Sequence, residues 1–353
     1  MAAWSLPVGA RFRRQLKMQE SRRLRRSRLW LLVAAAGLGV LMLGSCSSAP
    51  TLPGRTPTPS SSSAAGLPAL LSASLVYDPG SRNVVLLGTT WGDYRSTMWT
   101  WDGKTWTQQR SATLPPDLRG DLAYDRATSS IVLYGTTYPA AEPQTWEWKA
   151  GTWSQRHPAT MLPTEYQFQL VGDEAAGTVI AFGGCCAQTT LPSQTWRWDG
   201  TNWQQLHPTA APSDRVNVHL AWDPAIQHVV LFGGNVNGSG NQASDLWTWD
   251  GAKWVRQYLP GLPPGELAVA AIGYDGAHKT MVLLARSGKF EVGTWTLDGA
   301  GWTTQHPSVL PSTRVTYSMA WDDAAQQLVL VDIVGLSSPE TWIWNGTNWE
   351  RKA

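Results

Sequence analysis

The sequence predicts an all-β fold of six equivalent, four-stranded antiparallel units around one axis, a six-bladed β-propeller. Two observations predict it. A tryptophan-rich hairpin motif occurs six times, and a motif that ends in aspartate precedes each copy. Successive aspartates are 47 to 52 residues apart, a period typical of propeller blades. This period makes residues 67–353 one domain rather than two.

Each predicted blade begins with a strand, called A, that ends in the aspartate. The six aspartates are Asp78, Asp125, Asp173, Asp223, Asp275 and Asp322. An aspartate at a strand end starts a turn, because its carboxylate accepts hydrogen bonds from nearby backbone N–H groups. Six residues later an apolar run such as Val229–Phe232 begins, which indicates a strand B buried on both faces.

The last two strands of each blade, C and D, form the tryptophan hairpin. In one copy, Trp196 and Trp198 share a strand face, an Asp-Gly pair makes the turn, and Trp203 opens strand D. Seventeen of the 22 tryptophans occupy these repeat positions, so we expect them to pack between blades rather than bind a ligand. Trp91 lies outside the pattern, in the B–C loop of the first repeat, and is expected to be exposed.

Each blade is complete within one repeat, since the first repeat starts with strand A and the last ends with strand D. We therefore predict that blades six and one meet through side chains alone, without a strand lent across the junction. If a strand is lent, we expect it from residues 67–71.

The N-terminal residues 1–46 have the order of an export signal. Residues 1–28 hold nine basic residues and one acidic residue, and the apolar run Leu29–Leu43 follows. The sequence Leu-Gly-Ser-Cys that ends at Cys46 resembles a bacterial lipobox, which implies lipidation of Cys46 and attachment to the membrane outside the cytoplasm. A single-pass anchor is the alternative, because the uncharged stretch through Ser45 has about 17 residues, just long enough to span a bilayer once. Residues 47–66, rich in Ser, Pro and Thr, are predicted to be a disordered linker.

The charge of the chain differs between leader and repeats. The whole chain carries a formal charge of +2, and removal of the leader leaves 19 basic against 25 acidic residues, or −6. The repeats contain no basic cluster, so nucleic acid is not an expected partner. We expect a monomer that needs no cofactor.

The glycine pairs after strand B carry a family resemblance. An apolar run, then Gly183-Gly184 or Gly233-Gly234, then an aromatic strand and a tryptophan seven residues on resembles the kelch repeat. The repeats are also similar to the propeller domain of galactose oxidase, although the histidine pair of its copper site has no counterpart. The resemblance covers residues 70–353 and implies that strand A lines the axis and strand D lies outermost. The turn also partly resembles the Asp-box of sialidases, but it lacks the residue between Asp and Gly.

Cysteine and histidine offer few chemical sites. Cys185 and Cys186 are adjacent, and in an exported protein they either form a vicinal disulfide or remain two buried thiols. His157, His207 and His306 each follow a strand D in an x-His-Pro sequence. They recur on different blades and are expected to lie far apart, so no metal site is predicted.

One position of strand A is polar in most repeats. Four residues before the aspartate stand Ser74, Asp121, Gln169, His219, Ala271 and Ser318, and the next residue is always apolar. Because strand side chains alternate, we expect the polar set to face the axial channel. Water in the channel explains this pattern, and a ligand is the alternative.

The variable B–C and D–A loops are the expected recognition surface, since both emerge on one face of the propeller. The candidate ligand-binding residues are Trp91, Asp93, Tyr94, Arg95, Arg119, Arg215, His219, Asn235, Asp245 and Arg314. The predicted function is a binding or scaffold module for a protein or glycan at the cell surface. The alternative is a carbohydrate-active enzyme with its site at the channel mouth, for which Asp121, His219 and Asp332 are the only candidates. A third interpretation is a structural surface protein without a specific ligand.

Overall fold

The fold follows from a computed structural model. It describes residues 66–352 apart from 112, 117, 138–141, 164–167, 185–191, 238–240, 262–266, 288–291, 313–315 and 334–336. In the described residues, the strands form six four-stranded antiparallel sheets and one two-stranded sheet. The predicted fold class, an all-β six-bladed propeller, is confirmed.

Blades one to three each use four consecutive strands. They are β1 (Leu70–Asp78), β2 (Asn83–Thr90), β3 (Ser96–Trp101) and β4 (Trp106–Gln109); β5 (Leu118–Asp125), β6 (Ser130–Thr137), β7 (Pro143–Lys149) and β8 (Thr152–Arg156); and β9 (Phe168–Asp173), β10 (Thr178–Gly183), β11 (Gln194–Trp198) and β12 (Trp203–Leu206).

Blade four is interrupted by two short strands that pair with each other, β13 (Arg215–Val216) and β16 (Asn235–Val236). Its own strands are β14 (His219–Asp223), β15 (His228–Phe232), β17 (Leu246–Trp249) and β18 (Trp254–Gln257). Blades five and six are β19 (Leu267–Asp275), β20 (Thr280–Ser287), β21 (Val292–Asp298) and β22 (Gly301–Gln305), and β23 (Thr316–Asp322), β24 (Gln327–Ile333), β25 (Glu340–Trp344) and β26 (Trp349–Lys352).

The first strand of each blade lies innermost. β1 contacts β5 and β23, and the other first strands contact their neighbours in the same way, so the six form a ring. The fourth strand of each blade is the far edge of its sheet. The expected arrangement, with strand A at the axis and strand D outermost, is therefore observed.

The A–B turns are built as the aspartate motif predicts. The carboxylate of Asp125 accepts hydrogen bonds from the backbone N–H groups of Ala127 and Thr128, at 3.0 and 3.3 Å. In the C–D turns, the glycine supplies the positive φ that a tight reversal requires. Gly103, Gly200, Gly251 and Gly346 have φ between 91° and 94°.

The hydrophobic core is divided among the seams between blades. Each of the six buried clusters contains residues from two neighbouring blades. One of these clusters lies at the seam between blades six and one. Of the repeat tryptophans, all except Trp146, Trp148 and Trp247 are buried. The prediction that these indoles pack between blades is confirmed.

Ring closure needs no lent strand. Every blade is made from its own repeat, as predicted. At the closing seam, the Trp106 indole N–H donates to Thr341 Oγ1 at 2.8 Å, and the Leu75 backbone N–H donates to Ser318 Oγ at 2.9 Å. Leu67 and Leu70 add buried apolar contacts to the same seam.

Candidate functional site

A hydrogen bond from the tryptophan that opens strand D crosses most of the seams. Trp203 Nε1 donates to Thr145 Oγ1 of the preceding blade at 2.9 Å. The same bond joins Trp254 to Thr195, Trp349 to Thr294 and Trp106 to Thr341. At the seam between blades one and two the acceptor is the sulfur of Met98, 3.3 Å from Trp153 Nε1.

The seam between blades four and five lacks this bond. Leu246 takes the acceptor position, and the indole N–H of Trp302 is buried without a hydrogen-bond partner. Trp302 still packs edge-on against Phe232, with 5.3 Å between ring centroids. A buried N–H that makes no hydrogen bond lowers the free energy of unfolding, and a ligand that supplies an acceptor would remove this cost.

An open pocket lies at this seam. We call it the 4/5 groove; its volume is about 390 Å³, within the usual range for small-molecule sites. The lining residues are Ser244, Asp245, Leu246, Arg256, Gln257, Tyr258, Leu259, Pro260 and Trp302. The groove thus joins the end of the B–C loop and the D–A segment of blade four to strand D of blade five.

Asp245 is a fixed anion in the groove. Arg215 donates to both of its carboxylate oxygens at 2.5 and 3.3 Å, and Trp247 Nε1 donates to Oδ2 at 2.9 Å. Burial works to raise the pKa of Asp245, but the hydrogen bonds and positive charge of Arg215, with smaller contributions from Trp247 and Arg256, hold it below its usual value. The carboxylate is therefore ionised at neutral pH.

Arg256 and Tyr258 form the solvent side of the groove. The Arg256 guanidinium lies over the Tyr258 ring, 5.1 Å from its centroid, and its Nε is 4.0 Å from Asp245 Oδ2. Tyr258 is 81% exposed, the most exposed of the large hydrophobic residues in the described part of the chain. An exposed ring beside a cation and an anion offers a stacking face and both kinds of hydrogen-bonding group.

The structure places two predicted site residues of blade four together. Asp245 lies in the groove, as a candidate ligand contact should. Arg215 is only 2% exposed, so it positions Asp245 instead of meeting a ligand itself. Its guanidinium also donates to Gly233 O at 3.1 Å and to Ser213 Oγ at 2.8 Å. Asn235 is half-buried in the two-stranded sheet, where it pairs with Val216.

The candidate residues of blade one form a separate exposed loop. Trp91 and Tyr94 are 43% and 45% exposed, which confirms the expectation for Trp91. Thr90 Oγ1 donates to the Asp93 carboxylate, and Arg95 lies 3.7 Å from that carboxylate. These residues are at the B–C end of blade one and do not line the 4/5 groove.

A second cavity lies on the axis, at the end that carries the A–B turns. We call it the axial funnel; its volume is about 1000 Å³. Its floor is the apolar ring Leu75, Leu122, Leu170, Leu220, Ile272 and Met319, and its wall is Tyr77, Tyr124, Trp222, Tyr274 and Trp321. The prediction for strand A is therefore wrong for this funnel, because the apolar position lines it and the polar position does not.

The polar position has another role, because the inner edge of strand A has no further strand to pair with. Asp121 Oδ2 accepts the Leu170 backbone N–H at 2.8 Å, and Ser74 Oγ accepts that of Leu122 at 3.1 Å. Ser74 Oγ also donates to Asp121 Oδ1 at 2.5 Å. Burial raises the pKa of Asp121, against the hydrogen bonds it accepts. These side chains connect neighbouring inner strands.

The three candidates for a catalytic site do not converge on the funnel. Asp121 binds backbone N–H groups, and His219 is half-buried at the start of β14. Asp332 is fully buried in β24, where it accepts a hydrogen bond from Ser312 Oγ. None of the three is among the residues that line the axial funnel.

Several candidate residues lie outside the described part of the structure. These are Cys46, Cys185, Cys186, Arg314 and the side chain of Arg119, together with the signal and linker of residues 1–65. Among the described residues, no helix is long and apolar enough to span a bilayer. His157, His207 and His306 are exposed after strands β8, β12 and β22.

The residues of the groove that sequence reasoning missed are Leu246, Arg256, Tyr258 and Trp302. Two signals were present. Tyr258 stands where three other repeats have the histidine of x-His-Pro, and Leu246 stands where four repeats have threonine. Neither signal marks a pocket until the seam shows that Leu246 faces the Trp302 indole.

No protein-family model matches the chain, and no curated protein matches it significantly. Among solved structures, the SapL1 lectin in complex with alpha methyl fucoside has 14% identity and a TM-score of 0.56, over 81% of this chain and 96% of its own. The Aleuria aurantia lectin, a six-bladed fucose-recognising propeller, has 12% identity and a TM-score of 0.54, over 81% and 96%. AofleA from Arthrobotrys oligospora has 12% identity and a TM-score of 0.51, over 81% and 86%. At such identities the similarity shows the six-bladed propeller fold alone.

Proposed function

We propose that this chain is a glycan-binding propeller of the kelch type, exported and tethered to the outer side of a bacterial membrane. The observation that supports glycan binding most directly is the 4/5 groove, which combines an exposed tyrosine ring, a guanidinium and a fixed carboxylate. Sugars present apolar C–H faces that pack on aromatic rings, and hydroxyl groups that hydrogen-bond to charged side chains. The similar propellers named above include lectins that bind fucosides.

The fixed positions of its polar groups support a ligand site in the groove rather than a gap in packing. Arg215 and Trp247 fix the Asp245 carboxylate, so a ligand meets an oriented acceptor. A sugar hydroxyl that donates to Asp245 and accepts from Arg256 fits this arrangement. The B–C and D–A loops of blade four supply most of the lining, in accord with the predicted recognition face.

A glycan array with the purified protein tests the proposal. Tyr258→Ala and Arg256→Ala should each weaken binding by about tenfold, the loss expected for one stacking contact or one charged hydrogen bond. His207→Ala and Arg351→Ala are matched controls, because these exposed residues occupy the positions of Tyr258 and Arg256 in blades three and six. Equal binding by all four variants would exclude the groove, and failure of every glycan to bind would exclude the function.

The tether is proposed as a lipid on Cys46 that holds a monomeric propeller outside the cytoplasm. Cys46→Ala should abolish incorporation of labelled palmitate and release the protein from the membrane fraction. If the variant remains in that fraction without label, the apolar run Leu29–Leu43 is a membrane anchor instead.

A further inference from the structure

The axial funnel is a second, chemically different cavity from the 4/5 groove. It opens at the A–B turns, whereas the groove is built from the B–C loop and the D–A segment. Its floor is aliphatic and its wall carries an aromatic side chain from every blade except the third, which has Gly172. At about 1000 Å³ it lies at the upper end of the usual range for small-molecule sites.

The aromatic wall is held from behind by the seam cores. Tyr77, Tyr124, Trp222, Tyr274 and Trp321 are all half-buried, and each packs against a different buried cluster. The rings therefore have little freedom to turn away from the cavity. Aromatic faces carry partial negative charge, which attracts cations, and organic cations with apolar substituents suit such cages.

The charges around the funnel favour a cation as well. Glu174 and Asp323 line the wall, and each of the six turn aspartates directly follows a wall position in the sequence without itself lining the cavity. The opposing cations are Arg82 and Lys279 in the lining and Arg126, which lies 3.4 Å from the Glu174 carboxylate. The pKa of Tyr77 and that of Tyr274 are raised by burial and then by neighbouring aspartates, as expected at a negative wall.

We propose that the axial funnel binds an organic cation with an apolar group, such as an aryl or alkyl quaternary ammonium. The apolar group would contact the aliphatic floor, and the ammonium would lie among the aromatic rings below Asp323. This site is independent of glycan binding in the 4/5 groove.

Calorimetric titration of the full-length protein with three probes tests the proposal. Benzyltrimethylammonium, benzyl alcohol and phenylmethanesulfonate share an aryl group and are positive, neutral and negative. The cation should bind about tenfold more tightly than the alcohol, and the sulfonate should bind weakest. Equal affinity for cation and alcohol, tighter binding of the sulfonate, or no binding of the cation would overturn the proposal.

Variants locate the cation. Trp222→Leu keeps an apolar side chain and should weaken cation binding by roughly three- to thirty-fold, with a smaller change for benzyl alcohol. Arg82→Gln removes an opposing charge and should strengthen binding of the cation alone. Asp323→Asn, at an exposed position on the rim, should weaken binding of the cation. This variant replaces Trp222→Leu as the test if Trp222→Leu fails to fold.

Two controls separate this site from the rest of the molecule. Tyr258→Ala alters the 4/5 groove, and Trp91→Ala alters the exposed B–C loop of blade one. Both should leave cation affinity unchanged. If either reduces it as much as Trp222→Leu does, the cation binds elsewhere and the proposal fails.

Discussion

At the scale of single residues, Asp332 is a buried carboxylate where the first four repeats have glycine. Burial raises its pKa to about 6, although Ser312 donates a hydrogen bond to one oxygen. The other oxygen, Oδ1, is buried without a partner. Such a group is a source of instability at neutral pH rather than a catalytic acid, because it lines neither the 4/5 groove nor the axial funnel.

Asp332→Asn should stabilise the protein at pH 7. Because the folded pKa is near 6 and the unfolded pKa is close to 4, the native state binds the proton more tightly. The stability that this proton provides is complete below about pH 4 and is lost as the pH rises through 6. The variant should therefore gain on the order of 2–3 kcal/mol at pH 7 and much less at pH 4 in urea unfolding. An equal gain at both pH values would contradict the assignment.

The residues of the 4/5 groove show the limit of prediction at this scale. Asp245 was predictable as a polar loop residue, and its place in the groove follows from its position at the end of the B–C loop. Arg215 belonged to the same set, but the sequence does not show that its guanidinium is buried against Asp245. The exposure of Tyr258 was not predictable either, since most tryptophans at the repeat positions are core residues.

At the scale of elements, the aspartate turn and the glycine turn of neighbouring blades fit against each other. Gly200 in the C–D turn of blade three packs on Thr128 in the A–B turn of blade two, where a Cβ would come within 2.9 Å of Thr128 Cγ2. Gly346 packs in the same way on His278 of blade five. At these two positions the glycine is therefore required both by its φ and by the neighbouring turn.

Gly346→Ala should destabilise the protein more than Gly251→Ala. The two glycines have φ of 94° and 93°, so both variants suffer the same left-handed strain of about 1–2 kcal/mol. A Cβ at Gly251 meets no atom within 4 Å, whereas one at Gly346 overlaps the His278 ring. Thermal unfolding of the two variants measures the difference, and equal losses would show that the blades do not pack through these turns.

The periodic motifs predict strands, turns and the order of the blades, because these depend on local spacing. The function of the polar position in strand A was not predictable in this way. Alternation shows that Ser74 and Leu75 lie on opposite faces, but which face meets the axis depends on how the blade is tilted. The structure shows that Leu75 lines the funnel and that Ser74 Oγ accepts a hydrogen bond from the Leu122 backbone N–H.

At the scale of the whole molecule, the ring is closed by the same tryptophan–threonine hydrogen bond that joins three other pairs of blades. Trp106 donates to Thr341 at the closing seam as Trp203 donates to Thr145 within the ring. The first and last blades therefore depend on side-chain contacts, and the stability of the ring depends on the closing seam as much as on any other.

Thr341→Val should destabilise the protein as much as Thr145→Val does. Each change keeps the side-chain shape but leaves a buried indole N–H without an acceptor, which costs about 1–3 kcal/mol. Thr107→Val, at an exposed position of β4, should change the free energy of unfolding little. A loss confined to Thr145→Val would mean that the closing seam opens before the rest of the propeller unfolds.

The seam between blades four and five differs from the others, because it lacks the hydrogen bond from the tryptophan that opens strand D and contains the 4/5 groove. The proposed function rests on this groove. The most direct measurement is nuclear magnetic resonance of the indole N–H groups, labelled with nitrogen-15, during titration with a glycan selected on the array. The resonances of Trp302 and Trp247 should shift in proportion to occupancy, while those of Trp91, Trp222 and Trp321 stay in place. Shifts confined to Trp91, or to the two axial tryptophans, would place the glycan elsewhere and contradict the account.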